Sequence, residues 1–274
     1  MFSSILTLFA LAGTAAAQCS RTELQQLTAN YVSARATGGL TGLTEAIYTE
    51  NFKPANIRNS VFASPLRIDH NRSLLDTTQC ATYTEMVVTN PVHPYIIGTQ
   101  LKVTGGKVTL VESLVTDAGD WLFNATGFQY YATRENWSVI PEAKRDSRAV
   151  IQAAADAYLD LWKDKSVKVP WGVPCTRLEG GAYTGRGLPT DSCDVGVPVR
   201  IVEMPNRRYV IDEELGAVDV FVTIGGCATG RPDSHEFRLE GGKLRFIHTM
   251  TIMDPSCPGL PSQACECRQP TRWF

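Results

Sequence analysis

An internal duplication is the feature of this sequence that most constrains its fold. Residues 101–114 read LKVTGGKVTLVESL and residues 237–250 read FRLEGGKLRFIHTM, so a strand–Gly-Gly-Lys–strand pattern recurs at an offset of 136 residues. Upstream, LTANYVSA at 27–34 resembles AADAYLDL at 154–161, at an offset of 127 residues. The order, helix first and long hairpin last, is the same in both halves. A period this long predicts two tandem domains rather than a solenoid.

Each half begins with a predicted amphipathic helix. The first starts at Ser20, because Ser20 and Glu23 form a capping-box pattern, and it ends at Gly38-Gly39. Its apolar face carries Leu24, Leu27, Tyr31 and Val32. The second starts near Ser147, and its apolar face carries Val150, Ile151, Ala154, Tyr158, Leu161 and Trp162.

Strand patterns follow each helix. In the first half they lie near 83–89, 95–103 and 107–115, and in the second near 199–202, 208–211, 218–224, 235–239 and 243–252. We therefore predict an α+β fold with two tandem units, each with helices packed on a curved antiparallel sheet that encloses a pocket. The predicted boundaries are a signal peptide at 1–17, a first unit at 18–118, a linker at 119–146, a second unit at 147–254 and a Cys/Pro-rich tail at 255–274.

The N-terminus and three sequons predict secretion. An apolar stretch followed by Ala15-Ala16-Ala17 is typical of a secretory signal cleaved before Gln18. Asn71, Asn124 and Asn136 each begin an N-glycosylation sequon. We expect an extracellular protein or one in the lumen of the secretory pathway.

All eight cysteines follow the predicted cleavage site, and none shows Cys-x-x-Cys spacing. Disulfide bonds in an oxidising compartment explain them more simply than a metal does. The full pairing is not deducible from spacing. Local spacing favours Cys175 with Cys193, and Cys19 with Cys80 is plausible because both lie in the first half of the chain.

Composition and missing motifs exclude several classes of protein. The net charge of −2 disfavours a nucleic-acid binder, and no apolar run reaches the length of a membrane span. The sequence contains no Gly-x-Ser-x-Gly, Walker, Gly-x-Gly-x-x-Gly or His-Glu-x-x-His motif. A serine hydrolase, a nucleotide enzyme and a zinc protease are therefore not expected, nor are a cofactor and a metal. The sequence does not indicate an oligomeric state.

The second hairpin carries the main candidate site. Gly241-Gly242 suits a two-residue turn, which would set His235 opposite His248 and Phe237 opposite Phe246 on one apolar face. Two adjacent imidazoles could bind or protonate a ligand, with the two phenylalanines as ligand contacts. A hydrogen-bonded structural pair is the equal alternative. The corresponding positions in the first half are Thr99 and Glu112.

Five further residues are candidates in the second half. Asp219 interrupts an apolar strand and could act as a general base or orient an imidazole, unless it faces solvent. Arg177 and Glu179 lie on the same face if the segment that contains them is extended. They could form a charge pair at the wall of a pocket or an ion pair on the surface. Tyr158 and Trp171 are either cavity linings or core aromatics.

Three long motifs in the second half resemble a family of secreted fungal proteins of unassigned function. They read VPWGVPCTRLEGG at 169–181, NRRYVIDEELGAVDVFV at 206–222 and DSHEFRLEGGKLRFIHT at 233–249. This family resembles a duplication of the cone-shaped α+β fold of nuclear transport factor 2, scytalone dehydratase and ketosteroid isomerase. It also resembles, more distantly, fungal biosynthetic proteins that catalyse hetero-Diels–Alder cyclisation. The resemblance implies two cone-shaped units, but no catalytic motif is transferable by position.

Two functions are consistent with these features. One is a cofactor-free cyclase, isomerase or dehydratase of fungal secondary metabolism, acting on a small apolar metabolite in a preformed pocket. The other is a non-catalytic secreted protein that binds a ligand or interacts with a host. Fold alone does not separate them, because one fold hosts many functions.

Secretion has a direct test in the intact mass of the protein recovered from culture medium. We expect a mature chain that begins near Gln18 and carries glycan on Asn71 or Asn124. Treatment with an N-glycosidase should reduce the mass to that of the cleaved chain. An unglycosylated product that retains Met1 would contradict this prediction.

Overall fold

A computed structural model of the chain describes residues 19–199, 201–225 and 230–253. The predicted signal peptide and the predicted tail lie outside the described residues.

The described part of the first unit contains one α-helix, two short 3₁₀-helices at Ile57–Asn59 and Val61–Ala63, and a six-stranded sheet. Its helix is α1 (Arg21–Thr37). Its strands are β1 (Ile47–Glu50), β2 (Lys53–Pro54), β3 (His70–Asp76), β4 (Ala81–Val88), β5 (Tyr95–Thr104) and β6 (Lys107–Thr116). They lie in the order β2-β1-β6-β5-β4-β3, with β1 parallel to β6 and all other pairs antiparallel.

The second unit repeats this topology after a connecting helix. The helices are α2 (Ala125–Ala132), within the predicted linker, and α3 (Arg148–Leu161). The strands are β7 (Trp171–Glu179), β8 (Ala182–Tyr183), β9 (Arg208–Asp212), β10 (Ala217–Ile224), β11 (Arg231–Glu240) and β12 (Lys243–Thr251). Their order, β8-β7-β12-β11-β10-β9, matches the first sheet position by position, again with one parallel pair. The α+β class and the two similar units are confirmed, but the sheets are mixed rather than antiparallel.

The helix signals correspond to real caps. At the start of α1, the Glu23 amide donates to Ser20 Oγ and the Ser20 amide donates to Glu23 Oε2, which satisfies two of the free donors of the first turn. Gly38 ends α1 in the left-handed conformation, with φ of 73°. In both α1 and α3 the tyrosine of the repeated pattern, Tyr31 or Tyr158, is buried against the sheet.

A β-bulge changes the register of the second hairpin. Near the turn the pairing follows the prediction, since Leu239 lies opposite Leu244. Beyond it Arg245 is an extra, unpaired residue of β12, so Arg238 lies opposite Phe246 and Glu236 opposite His248. One extra residue reverses the face of every later side chain. The predicted opposition of His235 and His248 is therefore wrong, as is that of Phe237 and Phe246.

The first hairpin contains the same bulge. Lys102 pairs with Leu110 and Val103 with Val108, which leaves Thr109 as the extra residue. Thr109 and Arg245 are separated by the repeat offset of 136 residues. The bulge is thus a shared feature of the duplicated unit.

The predicted strand at 199–202 is also wrong. Val199 and Ile201 are exposed, and the Val202 amide donates to the carbonyl oxygen of Trp162 at the end of α3 instead of to a strand. Strands β1, β2, β3, β7 and β8 were not predicted, because they are short or combine polar and apolar residues without clear alternation.

Three apolar cores organise the molecule. One lies between α1 and the first sheet, and a second between α3 and the second sheet. The third is formed by the opposite faces of the two sheets together with α2, through residues such as Tyr83, Leu114, Phe128, Ala217 and Phe221. Each sheet therefore has one face toward its own helix and one face toward the other unit.

Two equivalent aspartates join the units reciprocally. Asp76 ends β3 and Asp212 ends β9, and both are fully buried. The Asp76 carboxylate accepts from the Ile211 amide at 3.0 Å, and the Asp212 carboxylate accepts from the Leu75 amide at 3.0 Å. The residues of the two contacts are separated by the repeat offset, so each unit uses the same positions to bind the other. The two units of this single chain therefore pack as the subunits of an isologous dimer do.

Each aspartate also binds an arginine at the start of the other unit's helix. Arg148 of α3 contacts Asp76 at 2.7 Å, and Arg21 of α1 contacts Asp212 at 2.9 Å. Both pairs are bidentate, the geometry in which an arginine–carboxylate pair is strongest. Each carboxylate therefore links the end of its own strand to both the sheet and the helix of the other unit.

The structure contains both disulfides that spacing suggested. Cys19–Cys80 joins the residue before the N-cap of α1 to the turn before β4, and Cys175–Cys193 joins β7 to the loop that follows β8.

We expect Asp212→Asn to lower the free energy of unfolding by about 2–4 kcal/mol, because it removes the charged acceptor of a buried cluster of donors. Urea-induced unfolding followed by intrinsic fluorescence measures this change. Arg67→Ala is the control, since it removes the 82% exposed partner of a surface pair and should change stability by less than about 1 kcal/mol. Equal effects of the two substitutions would contradict a special role for the interface carboxylates.

Candidate functional site

A partly open cleft lies on the helix-facing side of the second sheet. Strands β7, β11 and β12 form its floor. Its apolar lining comes from Trp121, Trp162, Ile224 and Met253. An apolar cleft with a few convergent polar groups is the usual anatomy of a small-molecule site.

The polar groups of the cleft form a row across three strands. His235 on β11 lies opposite Thr249 on β12, and Thr249 lies opposite Glu179 on β7. In the next row along the strands, Asp233 lies opposite Thr251. All five residues line the cleft.

His235 is held by a carboxylate. Its Nδ1 is hydrogen-bonded to Oδ1 of Asp233, whose Oδ2 accepts from the Thr251 hydroxyl. A carboxylate at Nδ1 favours the tautomer that carries its proton there and leaves Nε2 as an acceptor. Within the described ranges, Nε2 makes no hydrogen bond to the protein. This arrangement can accept a proton from a ligand and return it.

Arg177 and Glu179 form a buried pair at the cleft wall rather than a surface ion pair. Arg177 donates to Oε1 of Glu179 and to the carbonyl oxygen of Val195. Oε2 of Glu179 accepts from Nε1 of Trp121 at 3.3 Å. Both oxygens of this carboxylate are therefore already used by the protein.

Tyr158, Phe237 and Trp171 support His235 from below. The Tyr158 ring centre lies 5.4 Å from that of His235 and 5.2 Å from that of Phe237, and Trp171 meets it edge-on at 5.8 Å. Burial raises the pKa of Tyr158 to about 12, so its hydroxyl stays neutral at physiological pH. Tyr158 and Phe237 are fully buried and pack behind the imidazole rather than lining the cleft.

His248 lies on the opposite face, in the interface between the two sheets. It is 1% exposed, with Nδ1 2.8 Å from Oε2 of Glu85 and Nε2 2.7 Å from Oε2 of Glu135. Burial alone would lower its pKa, but these two carboxylates raise the pKa of His248 to about 10. A permanently charged imidazole between two carboxylates is suited to structural work and not to proton transfer at neutral pH.

Arg72 completes this interface network. Its guanidinium lies 3.1 Å from Glu85 and 2.7 Å from Glu236, and it stacks 3.6 Å from the ring centre of Trp137. Glu85, Glu236 and His248 are close enough together to hold a metal ion. Arg72 already supplies the positive charge that these carboxylates require, so the geometry favours an ion-pair network over a metal site.

Asp219 and Phe246 also face the interface. Asp219 is fully buried and accepts from Ser234 at 2.6 Å and Gln100 at 2.7 Å, and burial raises its pKa well above the ordinary value. The sequence allowed two interpretations of Asp219, a carboxylate at the candidate site or a solvent-facing residue. Both are wrong, because Asp219 is buried in the interface. Phe246 stacks on Trp137 at 5.8 Å, because the bulge turns it away from the cleft.

The first unit has neutral groups where the second has the imidazole. Thr99, the counterpart of His235, is hydrogen-bonded to Tyr31 at 2.9 Å and Ser113 at 3.0 Å. Phe62 and Arg35 pack against Tyr31, and both are fully buried. The His235–Asp233 pair therefore has no counterpart at Thr99 in the first unit.

Asp233, Thr249 and Trp121 are among the cleft residues that were not identified from the sequence. Asp233 could have been found, because strand alternation places it on the same face as His235 two residues later. Thr249 depends on the bulge, which no local pattern revealed. Trp121 comes from the connection before α2 and reaches the cleft only through tertiary packing.

The three sequon asparagines, Asn71, Asn124 and Asn136, are all exposed. Asn124 also caps α2, accepting from the Gly127 amide at 2.9 Å. Glycan at any of the three is compatible with the fold.

Comparison with known proteins finds a family match within the second half of the chain. Residues 144–251 match a family described as "Domain of unknown function (DUF8021)". No curated protein and no solved structure matches the chain. Among the described residues, no helix has the length and apolarity to cross a bilayer.

The pKa of His248 generates a pH-dependent prediction. The folded state raises it from 6.5 to about 10, so the stabilisation is complete below pH 6.5 and declines between pH 6.5 and pH 10. We expect wild type to be more stable than His248→Gln at the acidic end of this window, with the difference shrinking toward the alkaline end.

Urea unfolding at several pH values across this window measures the difference. The control is His93→Gln, because His93 is exposed and the change should leave the pH dependence unaltered. A constant difference between wild type and His248→Gln across the window would refute the charged state of His248.

Proposed function

We propose that the cleft of the second unit binds a small, largely apolar metabolite and that His235 transfers a proton on it, as in a cofactor-independent cyclase, isomerase or dehydratase. One observation carries the proposal. An imidazole oriented by Asp233 presents an Nε2 that none of the described residues bonds, in a cleft lined by two tryptophans. Asp233 acts as a positioning residue, because it contacts the ring and not the cleft ligand.

The surroundings of His235 favour proton transfer. The residue is 2% exposed, so a bound ligand would meet it away from bulk water. Charge interactions and hydrogen bonds are stronger in such an environment than in water. Oriented general acid–base groups typically contribute about 10²–10⁴-fold to a rate.

The fold proposal follows from the repeated topology. Each unit packs a long N-terminal helix on one face of a six-stranded mixed sheet. This arrangement supports the resemblance to the cone-shaped fold of nuclear transport factor 2 and scytalone dehydratase, and to fungal hetero-Diels–Alderases. We propose the domain boundaries given above on the same basis.

The place of action is proposed to be extracellular or the lumen of the secretory pathway. Two disulfides and three exposed sequon asparagines support a chain that matures under oxidising conditions. The proposed substrate is a fungal secondary metabolite.

Native mass spectrometry of the secreted protein with extracts of its source culture identifies the ligand. Chromatography of the same extract before and after incubation then shows whether that compound is consumed. We expect His235→Phe to lower turnover at least 100-fold and Asp233→Asn to lower it while retaining binding, because the tautomer is no longer fixed.

His93→Phe is the matched control, since it makes the same replacement at an exposed site and should leave turnover unchanged. Binding without consumption by wild type would support the alternative, a non-catalytic ligand-binding protein. Equal turnover by wild type and His235→Phe would eliminate the proposed role of the imidazole.

A further inference from the structure

The hydroxyl of Thr249 is a polar group in the middle of the cleft that the proton-transfer proposal does not use. Thr249 is 6% exposed and lines the cleft between His235 and Glu179. Within the ranges that the structure describes, its Oγ1 makes no hydrogen bond. This oxygen is not among the fully buried side-chain oxygens without a partner, so it is accessible at the cleft surface, where a ligand can bond to it.

The neighbouring carboxylates do not satisfy Thr249. Glu179 uses one oxygen for Arg177 and the other for Trp121. Asp233 uses one oxygen for His235 and the other for Thr251. The protein thus engages every carboxylate oxygen close to Thr249, and its hydroxyl stays available to a ligand.

Two complementary groups therefore meet at one place. His235 Nε2 is an acceptor in the tautomer that Asp233 favours, and the Thr249 hydroxyl is a donor. The two residues are directly opposed on neighbouring strands, a position in which Cβ atoms lie about 4.5–5.5 Å apart. One oxygen bound between them could donate to Nε2 and accept from Oγ1.

We propose that Thr249 and His235 together bind the hydroxyl group of an alcohol whose apolar skeleton lies against Trp121 and Trp162. An alcohol satisfies both groups, whereas a ketone accepts from Thr249 but leaves Nε2 without a donor, and a hydrocarbon satisfies neither. This inference rests on the proposed ligand-binding function of the cleft and narrows its ligand class.

Isothermal titration calorimetry with three bicyclic probes tests it on the full-length secreted protein. The probes are 2-tetralol, 2-tetralone and tetralin, which share a skeleton and differ in the oxygen. We expect wild type to bind the alcohol about tenfold more tightly than the hydrocarbon, with the ketone between them. Thr249→Val removes the hydroxyl and preserves side-chain shape, and it should reduce the preference for the alcohol to about threefold.

Ile247→Val is the matched control. Ile247 precedes Thr249 by two residues on the same face of β12 and is fully buried. This variant should keep the wild-type preference, and thermal melts of both variants show whether each is folded.

The outcomes separate this inference from the proposed function. Equal binding of alcohol and hydrocarbon by wild type would overturn the ligand class while leaving a functional apolar cleft. An unchanged preference in folded Thr249→Val would overturn the role of Thr249. No binding of any probe would count against the cleft as a small-molecule site, and the inference would fall with it.

Discussion

Asp76 and Asp212 each bind groups of the other unit, and the rest of the structure depends on these reciprocal interactions. Each carboxylate binds an amide of the other unit and an arginine at the start of the other unit's helix. Because these groups are buried, removing one partner leaves a charge or donor uncompensated, which is costly. The duplicated units are thereby locked sheet to sheet, and only the helix-facing side of each sheet remains for a ligand.

This packing gives the two histidines of β11 and β12 different environments. His248 faces the interface, where Glu85 and Glu135 raise its pKa to about 10 and Arg72 balances the remaining carboxylate charge. His235 faces the cleft, where a single carboxylate orients it and one ring nitrogen stays open. The same sheet thus carries a bonded polar network on one face and, on the other, a polar row in which His235 Nε2 and the Thr249 hydroxyl make no bond to the described residues.

The two units have diverged on the helix-facing sides of their sheets and have kept the contacts at the interface between the units. The interface contacts are kept in both copies, as the paired aspartates and the paired bulges show. The helix-facing sides have changed, with Thr99 bonded to Tyr31 in the first unit and His235 bonded to Asp233 in the second. Packing between the units tolerates little change, whereas the helix-facing side of the first sheet is filled by side chains such as Phe62.

The sequence alone determined the duplication, the α+β class, the capped first helix and most of the longer strands, because these depend on local periodicity and short-range hydrogen bonds. It also indicated the Cys175–Cys193 and Cys19–Cys80 pairings and identified His235, Arg177 and Glu179 as candidate residues of the second half. The tertiary structure decided which face each residue occupies. A single bulged residue, Arg245, moved His248 and Phe246 to the interface and brought Thr249 beside His235. A local sequence pattern does not reveal such a bulge, because the free energy that the bulge loses and gains depends on how the sheet packs against its neighbours.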